Sequence, residues 1–153
     1  EAGRGCSFNC EFCSIQTYFH RTQSRRPTPD VIKEIQQIKR PLFFFVDDNI
    51  TAHIDQAKEF FRALIPLKIR WVSQASINAA HDEEFLDLLT RSGCQGVLIG
   101  FESLNTANLK SMNKAFNTMR GGFEQALANS DVPLIHDFNF KFLVVNRCNV
   151  SHR

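Results

Sequence analysis

Residues 4–15 read RGCSFNCEFCSI, and they place Cys6, Cys10 and Cys13 within eight positions. Whether this stretch is half of a disulfide framework, a zinc hook or the holder of a redox cofactor decides what the other 141 of the 153 residues are for. Five cysteines is an odd count, and three of them stand too close together for the even spacing of a secreted, stapled domain. Reduced thiols in the cytoplasm fit better, and clustered cytosolic thiols point to metal or catalysis. The spacing is C-x3-C-x2-C, with Gly5 and Ser7 as small neighbours that permit tight turns. Soft thiolates select zinc or iron–sulfur. A structural zinc site wants four ligands, commonly from two hooks, and only one hook is present. His20 is a candidate fourth ligand, but it stands in the locally basic run HRTQSRR, where a solvated side chain is the plainer reading. An iron–sulfur cube on three thiolates keeps one iron open for a ligand. Zinc and coincidental thiols remain the alternatives at this point.

The composition sets bounds around that motif. With 18 Lys+Arg against 16 Asp+Glu the net charge is +2, which argues against nucleic acid as a partner. No run approaches the roughly 20 apolar residues of a membrane span, so no membrane partner is expected. A hydrophobic content of 43% is enough for one core, and the length suits one domain. The chain begins almost at its first cysteine and stops without a helix after the last apolar run, and we read 1–153 as one domain incomplete at both ends.

From Pro27 onward two textures alternate. TPDVIKEIQQIKR carries Val31, Ile32, Ile35 and Ile38 on one helical stripe, with Thr28 as the expected N-cap and Pro29 at the first helical position. PLFFFV (41–46) reads as a strand buried on both faces. IDQAKEFFRALI is a second amphipathic helix, stopped by Pro66. KIRWVSQ (68–74) is a strand, DEEFLDLLTRSG a helix capped by Asp82 and closed at Gly93, and CQGVLIGF (94–101) another strand. NTANLKSMNK and FNTMRGGFEQALANS predict two further helices, and VPLIHDFNFKFLVV a final strand with period-two phenylalanines. Alternating strands and helices imply right-handed crossovers and a parallel sheet. A complete eight-unit barrel takes roughly 250 residues, so this length predicts an α/β fold with about five βα units, an open partial barrel.

Functional groups in such folds gather at the C-terminal ends of the strands. That rule singles out the cysteine loop, Asp47-Asp48-Asn49, Gln74 with Ser76, and Gly100-Phe101-Glu102-Ser103. On these residues the chain resembles the radical S-adenosylmethionine superfamily. RGCSFNCEFCSI supplies the cysteine motif with Phe12 as the aromatic before the third cysteine. RRPTPDVIKEI, FFVDDNI and LIGFESLNTANLKSMNK resemble the subgroup that often carries an N-terminal cobalamin-binding domain, with a barrel akin to that of methylthiotransferases. The resemblance covers residues 1 to about 117.

The resemblance implies a radical enzyme. Cys6, Cys10 and Cys13 would hold a [4Fe–4S] cluster whose fourth iron chelates S-adenosylmethionine. Reductive cleavage of the sulfonium would give a 5′-deoxyadenosyl radical that attacks an unknown substrate. Cobalamin would enter through a domain outside this chain, and the electron would come from a flavodoxin or ferredoxin. Phe12 would lie beside the adenine. Asp47 or Asp48 would meet the methionine amino group, in place of the Gly-Gly-Glu-like motif usual at that strand end. Gln74, Glu102 and Ser103 would reach the ligand at the next strand ends. Two readings compete with this one: a zinc-binding or RNA-binding module using the Arg21–Arg26 run, and an inactive remnant of a radical enzyme.

Overall fold

The computed structural model of the chain describes residues 1–103, 105–122, 135–136 and 141–142. Its centre is a three-stranded parallel sheet in the order β3 (Leu42–Phe44), β4 (Arg70–Ala75), β5 (Cys94–Ile99). Leu42 is registered on Arg70, Phe44 on Val72 and Ala75 on Ile99, with a shift in the ladder between Trp71 and Val72. Three helices connect and flank these strands: α2 (Thr28–Ile38), α3 (Ile54–Leu64) and α4 (Glu83–Arg91). Each strand-to-strand connection therefore passes through a helix, as a parallel pair requires. The protein is a mixed α/β fold built on the parallel βα pattern of a partial barrel. Of the about five units expected, the described residues show the parallel strands of three.

Ahead of this sheet, β1 (Gly3–Gly5) and β2 (Gln23–Arg25) form an antiparallel pair around the cysteine loop and the short helix α1 (Ser14–Phe19). After it come α5 (Thr106–Ser111) and a 3-10 turn over Ala115–Gly121. A second antiparallel pair joins β6 (Ile135–His136) to β7 (Lys141–Phe142), where the sequence pattern predicts one continuous strand. The helix expected over 116–130 begins as that 3-10 turn; its part beyond Gly122 and the rest of the expected strand lie outside the described residues.

The core lies between the sheet and the helices. Trp71 on β4 stacks on Phe61 of α3 at 4.8 Å between centroids, and Phe61 meets Phe85 of α4 at 5.3 Å. Phe45 stands edge-on to Phe60 at 5.4 Å and to Trp71 at 5.7 Å. The indole N–H of Trp71 donates to the Ser92 carbonyl at 3.0 Å, so its polar edge is satisfied inside the core. These aromatics lie on the helix-facing side of the sheet, which is why α2, α3 and α4 carry their apolar stripes there.

Two local expectations need correction. β3 is not buried on both faces: Phe43 and Phe45 turn to the helices, whereas Leu42, Phe44 and Val46 are 55%, 53% and 54% exposed. The described helices cover only one side of this edge strand, and the pleat sends alternate residues to the other. The N-cap of α2 is Pro27, with Thr28 already helical and Pro29 in the first turn. That cap has no side-chain hydrogen bond, and Pro29 brings no N–H that would need one. Asn105 caps α5, its Oδ1 accepting from the N–H groups of Ala107 and Asn108 at 2.8 and 3.2 Å. The expected cap at Asp82 is present, with Oδ1 accepting from the Phe85 N–H at 2.8 Å. Gly93 adopts φ +88°, and a Cβ there would fall 2.0 Å from the Ile69 carbonyl oxygen.

Candidate active site

The C-terminal ends of β4 and β5, the residues after β3 and the cysteine loop enclose one cleft of about 460 Å³. All three clustered cysteines line it. Gly5 sets the path into their loop with φ +87°; a Cβ would sit 2.3 Å from the Thr22 carbonyl oxygen of the facing strand region. The Cys13 N–H donates to the Cys10 carbonyl at 3.1 Å, and Cys13 is the N-cap of α1. The loop is also held from the far end of the chain. The Glu11 N–H donates to the Met112 carbonyl at 3.0 Å, and Phe8 packs on Phe116 with centroids 4.7 Å apart.

Of the three thiols on the cleft, Cys10 is the most enclosed. Burial pushes its pKa up; Lys114 pulls the other way, and the neighbouring Cys13 and Cys6 add to the rise. Among the described residues, no three His, Cys, Asp or Glu side chains close on one point as the ligands of a single ion do. A mononuclear zinc would need its sulfurs within about 2.3 Å of one centre. A cube takes each thiolate on a different iron, and three thiols lining one cleft are a donor set that such a group accepts.

The polar residues separate by position. After β3 the chain alternates: Asp47 is fully buried and turned away from the cleft, whereas Asp48 lines it. Asp47 Oδ2 accepts from the Ala2 N–H at 2.9 Å, and Asp48 Oδ2 accepts from the Gly5 N–H at 2.7 Å. Both carboxylates thus hold β1 beside the sheet. Burial raises the pKa of Asp47, opposed by the Ala2 N–H and the charge of Arg25. Gln74 lines the cleft at the end of β4, with an exposed side chain.

Glu102 lines the cleft after β5 and holds a left-handed backbone, φ +59°. Its Oε1 accepts from Lys114 Nζ at 2.8 Å, and the same ammonium stands 5.5 Å from the centroid of Phe12, which is 53% exposed on the cleft wall. Gly100 leaves room for this pair: a Cβ there would lie 2.3 Å from Glu102 Oε1. Ser103 is not among the lining residues; its Oγ accepts from the Asn105 N–H at 3.0 Å.

Of the residues singled out in the sequence, the cleft brings together Cys6, Cys10, Cys13, Phe12, Asp48, Gln74 and Glu102, and leaves Asp47 and Ser103 outside its lining. Lys114, Phe8 and Phe116 were missed. Lys114 follows a turn that only the fold carries back to β5, so no local pattern marks it. Asn49 and Ser76 also line the cleft. They form a buried network with Thr51, which the Asx-turn character of Asn49 foreshadows: its Oδ1 accepts from the Thr51 N–H at 3.1 Å. The basic run is mostly committed to the fold. Arg25 donates to the Ile50 carbonyl at 3.1 Å, and Arg26 pairs with Glu34 at 2.5 Å. His20 is exposed in a left-handed cap position after α1. None of the described helices is long and apolar enough to cross a membrane.

Known proteins share both the sequence and the fold. The bacteriochlorophyllide d C-12(1)-methyltransferase of Chlorobaculum tepidum is 34% identical over 134 residues, covering 84% of this chain and 29% of that protein. The cytidylyl-2-hydroxyethylphosphonate methyltransferase of Streptomyces wedmorensis is 34% identical over 116 residues, covering 72% of this chain and 22% of that one. The chain therefore spans under a third of the length of these relatives. In fold it resembles the radical S-adenosylmethionine methyltransferase TsrM of Kitasatospora setae, solved with cobalamin and a [4Fe–4S] cluster bound. The TM-score is 0.66 at 20% identity, over 79% of this chain and 24% of that one. Radical SAM proteins use a [4Fe–4S] cluster and S-adenosylmethionine as cofactors, and the TsrM structure adds cobalamin to that set. The sequence profile of the radical SAM superfamily matches residues 1–131 of the 153, and the chain belongs to that superfamily.

Proposed function

We propose that this chain is the cluster-binding part of a radical S-adenosylmethionine enzyme of the methyltransferase type, with Cys6, Cys10 and Cys13 as ligands of a [4Fe–4S] cluster. The observation that carries this reading is the opening of all three thiols onto one cleft at the C-terminal ends of the parallel strands. When bound, the cluster supplies the electron that splits the sulfonium C–S bond of S-adenosylmethionine, giving methionine and a 5′-deoxyadenosyl radical. The chain's own residues position and enclose. Asp48 is a carboxylate on the cleft wall that suits an ammonium group, Glu102 being already paired with Lys114. Phe12 offers a ring face for a planar base, and Gln74 and Glu102 offer acceptors at the ends of β4 and β5. Phe8, Phe116 and Leu98 make part of the wall apolar and so restrict water.

Methyl transfer is the reaction class we favour, because the relatives at 34% identity are named as methyltransferases. Cobalamin would then come from a domain outside this chain, and the electron from a flavodoxin or ferredoxin in the cytoplasm. Anaerobic reconstitution tests the core of this reading. We expect about four irons and matching acid-labile sulfide per chain, loss of the cluster in Cys10→Ala, and release of 5′-deoxyadenosine and methionine when the cluster is reduced in the presence of S-adenosylmethionine. Stoichiometric zinc without iron would overturn it. A loaded cluster that never turns over S-adenosylmethionine would identify an inactive remnant.

A further inference from the structure

Asn49 has an orientation that the backbone dictates. The Thr51 main-chain nitrogen can only donate, so the Asn49 atom 3.1 Å from it is the amide oxygen. The amide nitrogen must then face the other way, where it lies 2.9 Å from Ser76 Oγ and 3.4 Å from Cys6 Sγ. The surroundings leave no second solution. Ser76 Oγ and Thr51 Oγ1 both lie within hydrogen-bond distance of Asn49 Oδ1, at 3.1 and 2.9 Å, and the Ser76 N–H donates to Thr51 Oγ1 at 3.0 Å. Gln23 Nε2 holds the Asn49 carbonyl at 2.8 Å. Asn49, Thr51 and Ser76 are all buried, so a flipped amide would oppose nitrogen to a buried N–H and leave Cys6 facing an oxygen.

On this geometry, and resting on the cluster-site reading above, we propose that Asn49 is a positioning residue that directs an N–H at the Cys6 sulfur and raises the potential at which a cluster held there accepts an electron. A hydrogen bond to a ligating thiolate stabilises the form with more negative charge on sulfur, which is the reduced one. The N–H also fixes the side-chain direction of Cys6, as outer partners do for other metal ligands. The role differs from capping. The Asx turn needs only the Asn49 oxygen, whereas Cys6 needs the nitrogen.

Asn49→Ser separates the two without adding charge, because its hydroxyl can accept from the Thr51 N–H and is too short to bring a donor to the sulfur. Thr51→Val is the control. It removes hydroxyl bonds from the same buried network but keeps the main-chain N–H that orients Asn49. The measurement is a redox titration of the anaerobically reconstituted protein, followed by the electron paramagnetic resonance of the reduced cluster. In it, one electron passes from dithionite through a mediator dye to each cluster, which is reduced as dithionite is oxidised. We expect Asn49→Ser to retain the cluster with a potential shifted negative, the reduced-to-oxidised ratio at fixed poise falling at least about fivefold. Thr51→Val should lose thermal stability and keep the wild-type potential. An unchanged potential in Asn49→Ser, or an equal shift in both variants, overturns this role while leaving the cluster site intact. A wild-type chain that takes up no cluster overturns both.

Discussion

Lys114 Nζ and Glu102 Oε1 lie 2.8 Å apart, and their side chains are only 11% and 21% exposed. They tie the residue capping the 3-10 turn to the stretch after β5, and both line the cleft. An ion pair this enclosed loses more when one partner is removed than when both are. We expect Glu102→Gln to cost about 1–3 kcal/mol of stability and Lys114→Met a similar amount. The double variant should cost less than the sum of the two. Urea unfolding of the three variants checks this, and simple additivity would show that the pair carries no coupling.

Asp47 gives the fold a pH signature. Burial raises its pKa in the folded chain above the ordinary aspartate value. Folding therefore takes up a proton between the ordinary value and the raised one, and the contribution of this group to stability declines as pH rises through that window. The variant Asp47→Asn keeps an acceptor for the Ala2 N–H and cannot titrate. Its stability relative to the wild type should rise as pH is raised across the window and level off above it, as read by urea midpoints from pH 4 to 8.

Asp82 caps α4 through the Phe85 N–H and stands 2.8 Å from Lys58 Nζ. Asp82→Ala should lower stability by about 1 kcal/mol, most of it from the lost cap. Asp82→Ser, which retains a capping oxygen, should recover the larger part. Thermal melts of the two variants decide between a capping role and a purely ionic one.

Gly5 stands where only glycine fits, with φ +87° and the Thr22 carbonyl at the place a Cβ would occupy. Gly5→Ala should cost about 3 kcal/mol from strain and displacement together. Because Gly5 leads directly into Cys6, iron uptake on reconstitution should fall with it. Full iron content at wild-type stability would show that the turn is more pliant than its geometry implies.

How much of this was legible in the sequence follows from the range of the interactions. The helices α2, α3 and α4 declare themselves through apolar stripes, and the cysteine motif through spacing alone. The choice between Asp47 and Asp48 was not readable, because adjacent carboxylates are chemically alike and only the pleat decides which turns inward. β3 misled for a related reason: a run of phenylalanines reads as burial on both sides, while the described structure covers only the side of Phe43 and Phe45. Lys114 was invisible because its partners Phe12 and Glu102 stand 102 and 12 positions away. Ser103, expected at the ligand, lies outside the cleft lining and accepts from the Asn105 N–H instead, a local turn that its place beside Glu102 does not reveal.

The fastening of Glu11 to Met112 and of Phe8 to Phe116 carries a consequence for anyone who would transplant this motif. A synthetic dodecapeptide spanning residues 4–15 would contain every sulfur of the trio and none of the brackets that shape it. Such a peptide would have to freeze its own backbone on meeting iron, whereas the intact polypeptide meets that entropy in advance through contacts contributed a hundred residues downstream. The motif is thus a local spelling of a distributed scaffold, and grafting the letters without the scaffold would yield a weak chelator.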